Sequence, residues 1–181
     1  MNDKYDIDFG RYLEYREDSP SGLVWKERSS KEFKLWRSYL SWNRRFSGTT
    51  AGSISINPHG YKSWRIRLNG ITYICSRIIY LIMIGPIPDG YEVDHEDVNS
   101  LNNKIENLRL ATTSQNNLNK NHYASNDLKS KGVWRVGNKF RSAISINGVK
   151  RNLGNFDTLE LAEQAYTNAS ISYHGEYSPL K

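Results

Sequence analysis

Between Tyr91 and Asn121 one stretch gathers side chains suited to hydrolysis: Asp94-His95, Asn107 and Asn116. Cleaving a phosphodiester needs a base that takes a proton from water, and histidine can do so near neutral pH. It also needs a cation to offset charge on the phosphoryl oxygens and on the departing 3′-oxygen. Carboxylate and amide oxygens suit a hard ion such as Mg²⁺, and few protein ligands are required because phosphates and waters fill the remaining positions. Asp94, His95 and Asn116 supply that set. Asn107 can brace the loop by bonding backbone groups, as asparagine readily does.

The periodicity around these residues predicts a short strand ending at His95, a polar loop, and a second strand near Leu108–Ala111. A helix should then start at Thr113 or Ser114, either being a good N-cap. If the strands pair and the helix folds over them, Asp94 and Asn116 approach each other. His95 would then face away from Asp94, toward a substrate. Asp97, Asn99 and Asn103 fit loop-shaping better than metal binding. His59, His122 and His174 have no link to the motif and read as surface residues.

The segment resembles the HNH, or His-Me finger, nucleases in their phage and homing-endonuclease branch. The residues that carry the likeness are Asp94-His95, Asn102-Asn103, Glu106-Asn107-Leu108-Arg109 and Ser114-Gln115-Asn116. The resemblance implies a metal-dependent DNA endonuclease with a ββα-metal finger, leaving 5′-phosphate and 3′-hydroxyl ends. It puts His95 on the general base and Asn107 on the asparagine that holds the base-bearing loop. Asp94 and Asn116 fall on the ligands of Mg²⁺, or of another divalent cation such as Mn²⁺. Asn116 stands where the family often has histidine, and Asp94 where many members carry a second histidine.

The bulk properties agree with a polyanionic partner. The chain of 181 residues has 25 Lys+Arg against 19 Asp+Glu, a net charge of +6. Its mean hydropathy of -0.70 and pI near 9.3 indicate a wet, basic surface over a modest core. The acids Asp3, Asp6, Asp8, Glu14, Glu17 and Asp18 cluster at the start, so the basic excess falls on the rest. Aromatics often stand beside cations, as in Trp64-Arg65, Trp134-Arg135 and Phe140-Arg141, a pattern suited to sugars, bases and phosphates. One cysteine, Cys75, excludes an internal disulfide and a multi-Cys zinc site, and its alternation with Ile71 and Tyr73 reads as a buried strand position. The apolar run Ile78–Pro86 is too short to span a bilayer, and no signal-peptide pattern opens the chain. An intracellular, cytoplasmic setting with no membrane partner is expected, such as a phage-infected bacterial host.

Residues 1–90 read as a strand-rich segment. Trp64, Ile66 and Leu68 alternate with Arg65 and Arg67, Asn69-Gly70 makes a hairpin turn, and Ile71–Cys75 leads into a short helix, Ser76–Ile84. Residues 23–50 show no clean periodicity. The nuclease finger occupies 91–121, a polar linker 122–130, and a last module 131–181. That module should hold strands Gly132–Val136, Lys139–Ile146 and Val149–Leu153, a turn at Asn147-Gly148, and a helix Thr158–His174 capped by Asp157 with Glu160. Leu159, Ala162, Tyr166, Ala169 and Tyr173 would form its apolar face. Both Lys62–Gly70 and Asn138–Gly148 run from a basic strand into an Asn-Gly turn, a faint internal echo.

Trp134-Arg135, Phe140-Arg141, Asn147-Gly148 and the step Leu153-Gly154-x-Phe156-Asp157-Thr158 resemble an AP2-type DNA-binding domain. The likeness implies a three-stranded sheet entering the major groove with a helix packed behind it. Phe140, Ser142, Ile144 and Ile146 would face the helix. Arg141, Ala143 and Ser145 would face outward beside Trp134, Arg135, Lys150 and Arg151. With Arg65, Arg67 and Lys139 these are the candidate DNA contacts. The expectation is thus an α+β protein acting on double-stranded DNA as a monomer or weak dimer. A rival reading is a non-enzymatic AP2-type regulator with an inactive finger.

Overall fold

The computed structural model describes residues 5, 7–119, 127–146 and 148–178. The chain is α+β and divides into two compact units, residues 1–110 and 111–181. Asn147 and His122 lie outside the described residues.

In the first unit, β1 (Leu13–Tyr15) and β2 (Leu23–Trp25) form an antiparallel pair, and α1 (Trp36–Phe46) follows. Next comes a sheet of β3 (Ser53–Ile56), β4 (Lys62–Leu68) and β5 (Ile71–Ile74), then α2 (Cys75–Met83). The β4–β5 turn needs two residues with positive φ, and Asn69 (50°) and Gly70 (80°) provide them. Ile66 and Leu68 point into the core, while Arg65 and Arg67 occupy the other face of β4. The strand β3 and the helix α1 were not anticipated from the sequence. Exposed Ile54 and Ile56 give β3 no inward alternation, and α1 has no buried residue.

Two further strands, β6 (Tyr91–His95) and β7 (Leu108–Thr112), make a two-stranded sheet. One core serves β6 and the N-terminal elements alike: Phe9, Leu13, Leu23, Tyr73, Ile78, Ile79 and Leu108 are buried together, with Val93 and Leu110 against them. The helix α2 lies against β6 and against the 3-10 turn Ile105–Asn107. Cys75 is not a strand residue but the first residue of α2, and burial pushes its thiol up to about 12, so it is no nucleophile at neutral pH.

The second unit begins with α3 (Thr113–Asn119). It starts at Thr113, the earlier of the two expected positions, with Thr112 as the cap. Thr112 Oγ1 accepts from the Gln115 amide at 3.3 Å while Gln115 Oε1 accepts from the Thr112 amide at 2.8 Å, a reciprocal capping box. A meander of β8 (Val133–Val136), β9 (Lys139–Ile146) and β10 (Val149–Phe156) follows, with α4 (Leu159–His174) packed on it. Val133, Ile144, Ala162 and Tyr166 form its core, with Phe140, Ile146 and Leu159 alongside. Tyr173 is outside that core, 53% exposed. The helix cap is Thr158, whose hydroxyl accepts from the Leu161 amide, rather than Asp157, which pairs with Lys139 at 3.0 Å. Gly132 has φ of 69°, and a Cβ there would lie 2.1 Å from the Tyr166 ring, so this corner of the sheet requires glycine. The internal echo extends beyond the hairpins: β3–β5 with α2 and β8–β10 with α4 are each a three-stranded meander followed by a helix.

Candidate active site

Asp94 and His95 close β6, and both are largely buried, 6% and 8% exposed. Alternation along a strand sends them to opposite sides. Asp94 Oδ2 accepts from Arg109 Nε at 3.1 Å, and Arg109 also approaches Glu96 Oε1 at 3.8 Å. Arg109 stands on β7, so the two-stranded finger itself sets this ion pair. His95 turns toward Asn103, with its Nε2 3.0 Å from Asn103 Oδ1. His95 thus lies on the side away from Asp94, buried and hydrogen-bonded through Nε2.

Asn103, which by sequence fits loop shaping, is a hydrogen-bond partner that orients His95. Its Nδ2 donates to the Ser21 carbonyl at 2.9 Å. That carbonyl can only accept, which places the amide oxygen toward the imidazole. His95 Nε2 is then the donor of this bond. Ser21 is in turn fixed, its hydroxyl donating to the Leu23 carbonyl at 3.0 Å. Gly22 permits the close approach: its φ is 78°, and a Cβ would meet Ile79 at 2.7 Å and Asn103 at 3.3 Å.

Asn107 ties the ends of the loop together. Its Oδ1 accepts from the Asp97 amide at 3.0 Å, and its Nδ2 donates to Asp97 Oδ1 at 2.9 Å and to the Asn102 carbonyl at 2.8 Å. Asp97 is the other hub, accepting also from the Asn99 amide at 2.8 Å and from Asn102 Nδ2 at 2.7 Å. Three more bonds hold the loop to the β1–β2 hairpin and its turn. Besides Asn103 on Ser21, the Ile105 amide donates to Tyr15 Oη at 3.0 Å and Lys104 pairs with Glu17 at 2.7 Å.

Burial opposes ionisation of Asp97, but the hydrogen bonds from Asn102, Asn99 and Asn107 outweigh it and hold the carboxyl below its usual range. Its contribution to stability is complete above the unfolded value of about 4 and is lost as pH falls through the lower folded value. Asp97→Asn should therefore destabilise the protein at pH 7, and the gap from the parent should close at an acid pH well below the usual carboxylate range. Denaturant unfolding at both pH values measures this. A gap unchanged by acid would mean that the carboxylate charge is irrelevant to the loop.

Asn116 is half-buried on α3, in the second unit, and its role as a ligand keeps only its motif position as support. Among the described residues no group of three or more His, Cys, Asp and Glu could hold a metal. The Asp94 carboxylate with amide oxygens, phosphates and water is a donor set that would fit a hard divalent cation.

The candidate DNA contacts divide by face. Trp134 pairs across from Arg141, and Ser145 from Lys150, so these residues and Lys139 share the outer face of the sheet. Lys150 Nζ lies 4.2 Å from the Trp134 ring centre. Arg135 and Arg151 are on the opposite face, contrary to expectation. Arg135 pairs with Phe140 and stacks on it, while Arg151 pairs with Ile144 and reaches the Tyr173 ring. The reason is elementary: neighbours in a strand cannot share a face, so Trp134 and Lys150 exclude Arg135 and Arg151.

A paired-strand finger ending in Asp-His, with an asparagine bracing the intervening loop, defines the class. Residues 73–118 match the family model described as HNH endonuclease, and the chain belongs to that family. It is 38% identical over 104 residues to the uncharacterized HNH endonuclease L560 of Acanthamoeba polyphaga mimivirus, covering 56% of this chain and 54% of the relative. Protein 3.8 of Escherichia phage T7 is 34% identical over 99 residues, covering 54% of this chain and 81% of that protein. The SPbeta prophage-derived putative HNH homing endonuclease YosQ of Bacillus subtilis (strain 168) is 35% identical over 66 residues, covering 35% of this chain and 38% of its own length. The chain thus spans about half the length of the mimivirus relative. No solved structure matches it. Among the described residues no helix is long and apolar enough to cross a membrane.

Proposed function

We propose that the chain is a metal-dependent endonuclease that hydrolyses phosphodiester bonds of double-stranded DNA. The observation that carries this reading is the bond from His95 Nε2 to an asparagine that is itself anchored on the Ser21 carbonyl. A ring protonated at Nε2 offers Nδ1 as the base, and the fixed partner holds the ring in one tautomer. His95 takes the proton of the attacking water at Nδ1. Asn107 keeps the loop closed, so the base stays where β6 delivers it.

Asp94 and Asn116 would hold Mg²⁺ or Mn²⁺, Asp94 as the buried carboxylate and Asn116 by its place in the motif. The bound ion supplies charge stabilisation for the phosphoryl and leaving oxygens. Arg109 balances the Asp94 carboxylate and holds it in one orientation.

The second unit acts as an AP2-like reader of the duplex, with Trp134, Lys139, Arg141 and Lys150 on the outer sheet face. Arg65 and Arg67 add phosphate contacts from β4, and Arg135 and Arg151 are left to contacts at the rim. A single chain carries one site and nicks one strand, in an intracellular setting. Incubating supercoiled plasmid with the intact chain and Mg²⁺, then sequencing the ends, tests this. Nicks bearing 5′-phosphate and 3′-hydroxyl are expected. A chain that binds the duplex yet leaves it intact with Mg²⁺ and with Mn²⁺ would be a regulator, not a nuclease.

A further inference from the structure

Glu32 and Asp89 bracket the longest acid-free segment of the chain. Residues 33–88 contain no Asp or Glu, while Lys34, Arg37, Arg44, Arg45, Lys62, Arg65, Arg67 and Arg77 fall inside it. The sheet arginines Arg65 and Arg67 already have a place in the proposed DNA contacts. The cations of α1 do not.

How α1 is held is informative. Its inner side, Trp42, Phe46, Tyr39 and Asn43, grips the Arg28 region: Asn43 exchanges two 2.9 Å hydrogen bonds with the Arg28 backbone, and the Arg28 guanidinium stacks 5.1 Å from the Trp42 ring. Arg28 and Arg11 both pair with Glu32. The outer side is different in kind. At 100° per residue, Arg37 and Arg44 share its centre, two turns apart and so about 10 Å along the axis. Among the described residues neither they nor Lys34 and Arg45 form an ion pair. Beside that stripe Trp36 and Leu40, one turn apart, are 64% and 50% exposed. A helix that buries no residue, shows an aromatic and a leucine to solvent and leaves its arginines uncompensated has an incomplete surface.

We propose that α1 is a second docking element for duplex DNA, with Arg37 and Arg44 on backbone phosphates and Trp36 and Leu40 packed against deoxyribose in the groove. The absence of any acid across the whole segment selects a polyanion over a protein partner of mixed charge, and arginine suits phosphate in particular. The inference rests on the reading of the chain as a DNA endonuclease, and it extends the binding surface beyond the sheets.

The test uses the intact chain, a fluorescent duplex of mixed sequence, and Ca²⁺ in place of Mg²⁺, with affinity measured across a salt series. Arg37→Gln combined with Arg44→Gln should lower the slope of log K against log salt by about two and weaken binding on the order of tenfold or more at 0.1 M salt. Trp36→Ala with Leu40→Ala should weaken binding with the slope kept. Arg16→Gln, which loses a cation paired with Asp18, should leave the slope as in the parent. Thermal unfolding of each variant separates a damaged fold from a lost contact. The inference is overturned if the arginine double variant, folded as the parent, keeps the parent's slope and affinity. It is also overturned if the Trp36/Leu40 variant changes sedimentation of the free chain but not DNA affinity, since that face would then belong to a second copy. A parent that neither binds nor nicks duplex DNA would instead sink the proposed function, and this inference with it.

Discussion

His95→Gln should abolish most DNA nicking, by about 10²–10⁴-fold, while leaving the fold and duplex affinity close to those of the parent. Glutamine is the informative replacement because its amide can still donate to Asn103 Oδ1, as His95 Nε2 does. It removes the titratable nitrogen and keeps the anchor. Alanine removes both, and the buried oxygen of Asn103 then lacks its donor, at a stability cost of about 1–3 kcal/mol. The two variants separate chemistry from structure: alanine lowers stability and cutting together, glutamine lowers cutting alone. Plasmid nicking in Mg²⁺, paired with chemical denaturation, reads both. Nicking by His95→Gln within tenfold of the parent would remove His95 from the role of base.

Much of the finger is legible in the sequence because its signals are local. β6 and β7 announce themselves through alternation, and α2 before them through an apolar run stopped by Gly-Pro; all three lie within a residue or two of expectation. The role of Asn107 is similar, since a loop-bracing asparagine bonds backbone near it in sequence. What holds His95 is not local. The acceptor that fixes Asn103 is a main-chain carbonyl, Ser21, 82 positions away, and a backbone atom leaves no residue type to find. Gly22 is the one trace, and a glycine beside Ser-Pro-Ser reads first as an ordinary turn. Among several neighbouring asparagines nothing in spacing marks Asn103 as the one that turns toward His95. The helix α1 is hidden for another reason: its inner face is aromatic and cation-stacked rather than aliphatic, so hydrophobic periodicity is blurred by Trp36 and Leu40 on the outside. The faces of Arg135 and Arg151 are legible in the sequence, because alternation alone forbids them beside Trp134 and Lys150.

Arg109→Met should destabilise the protein by about 3 kcal/mol without divalent ions, the second large effect expected. Both partners of the Arg109–Asp94 pair are well covered, with side chains 14% and 6% exposed, so water replaces the lost cation poorly. Methionine keeps the aliphatic length and removes the charge, which isolates the electrostatic part of the loss. Asp94→Asn in the same chain should recover a large share of the stability, since a neutral pair leaves no uncompensated carboxylate. The proposed ligand role of Asp94 adds a further expectation. Mg²⁺ should raise the melting temperature of Arg109→Met more than that of the parent, because in the variant the ion supplies charge compensation that Arg109 otherwise provides. It should do nothing comparable for the variant that also carries Asp94→Asn. Thermal unfolding of the three proteins with and without Mg²⁺ measures all of these. A loss below about 1 kcal/mol would show that Asp94 is compensated without Arg109. Equal Mg²⁺ shifts in the two variants would take the metal away from Asp94, and the cutting site would need another carboxylate.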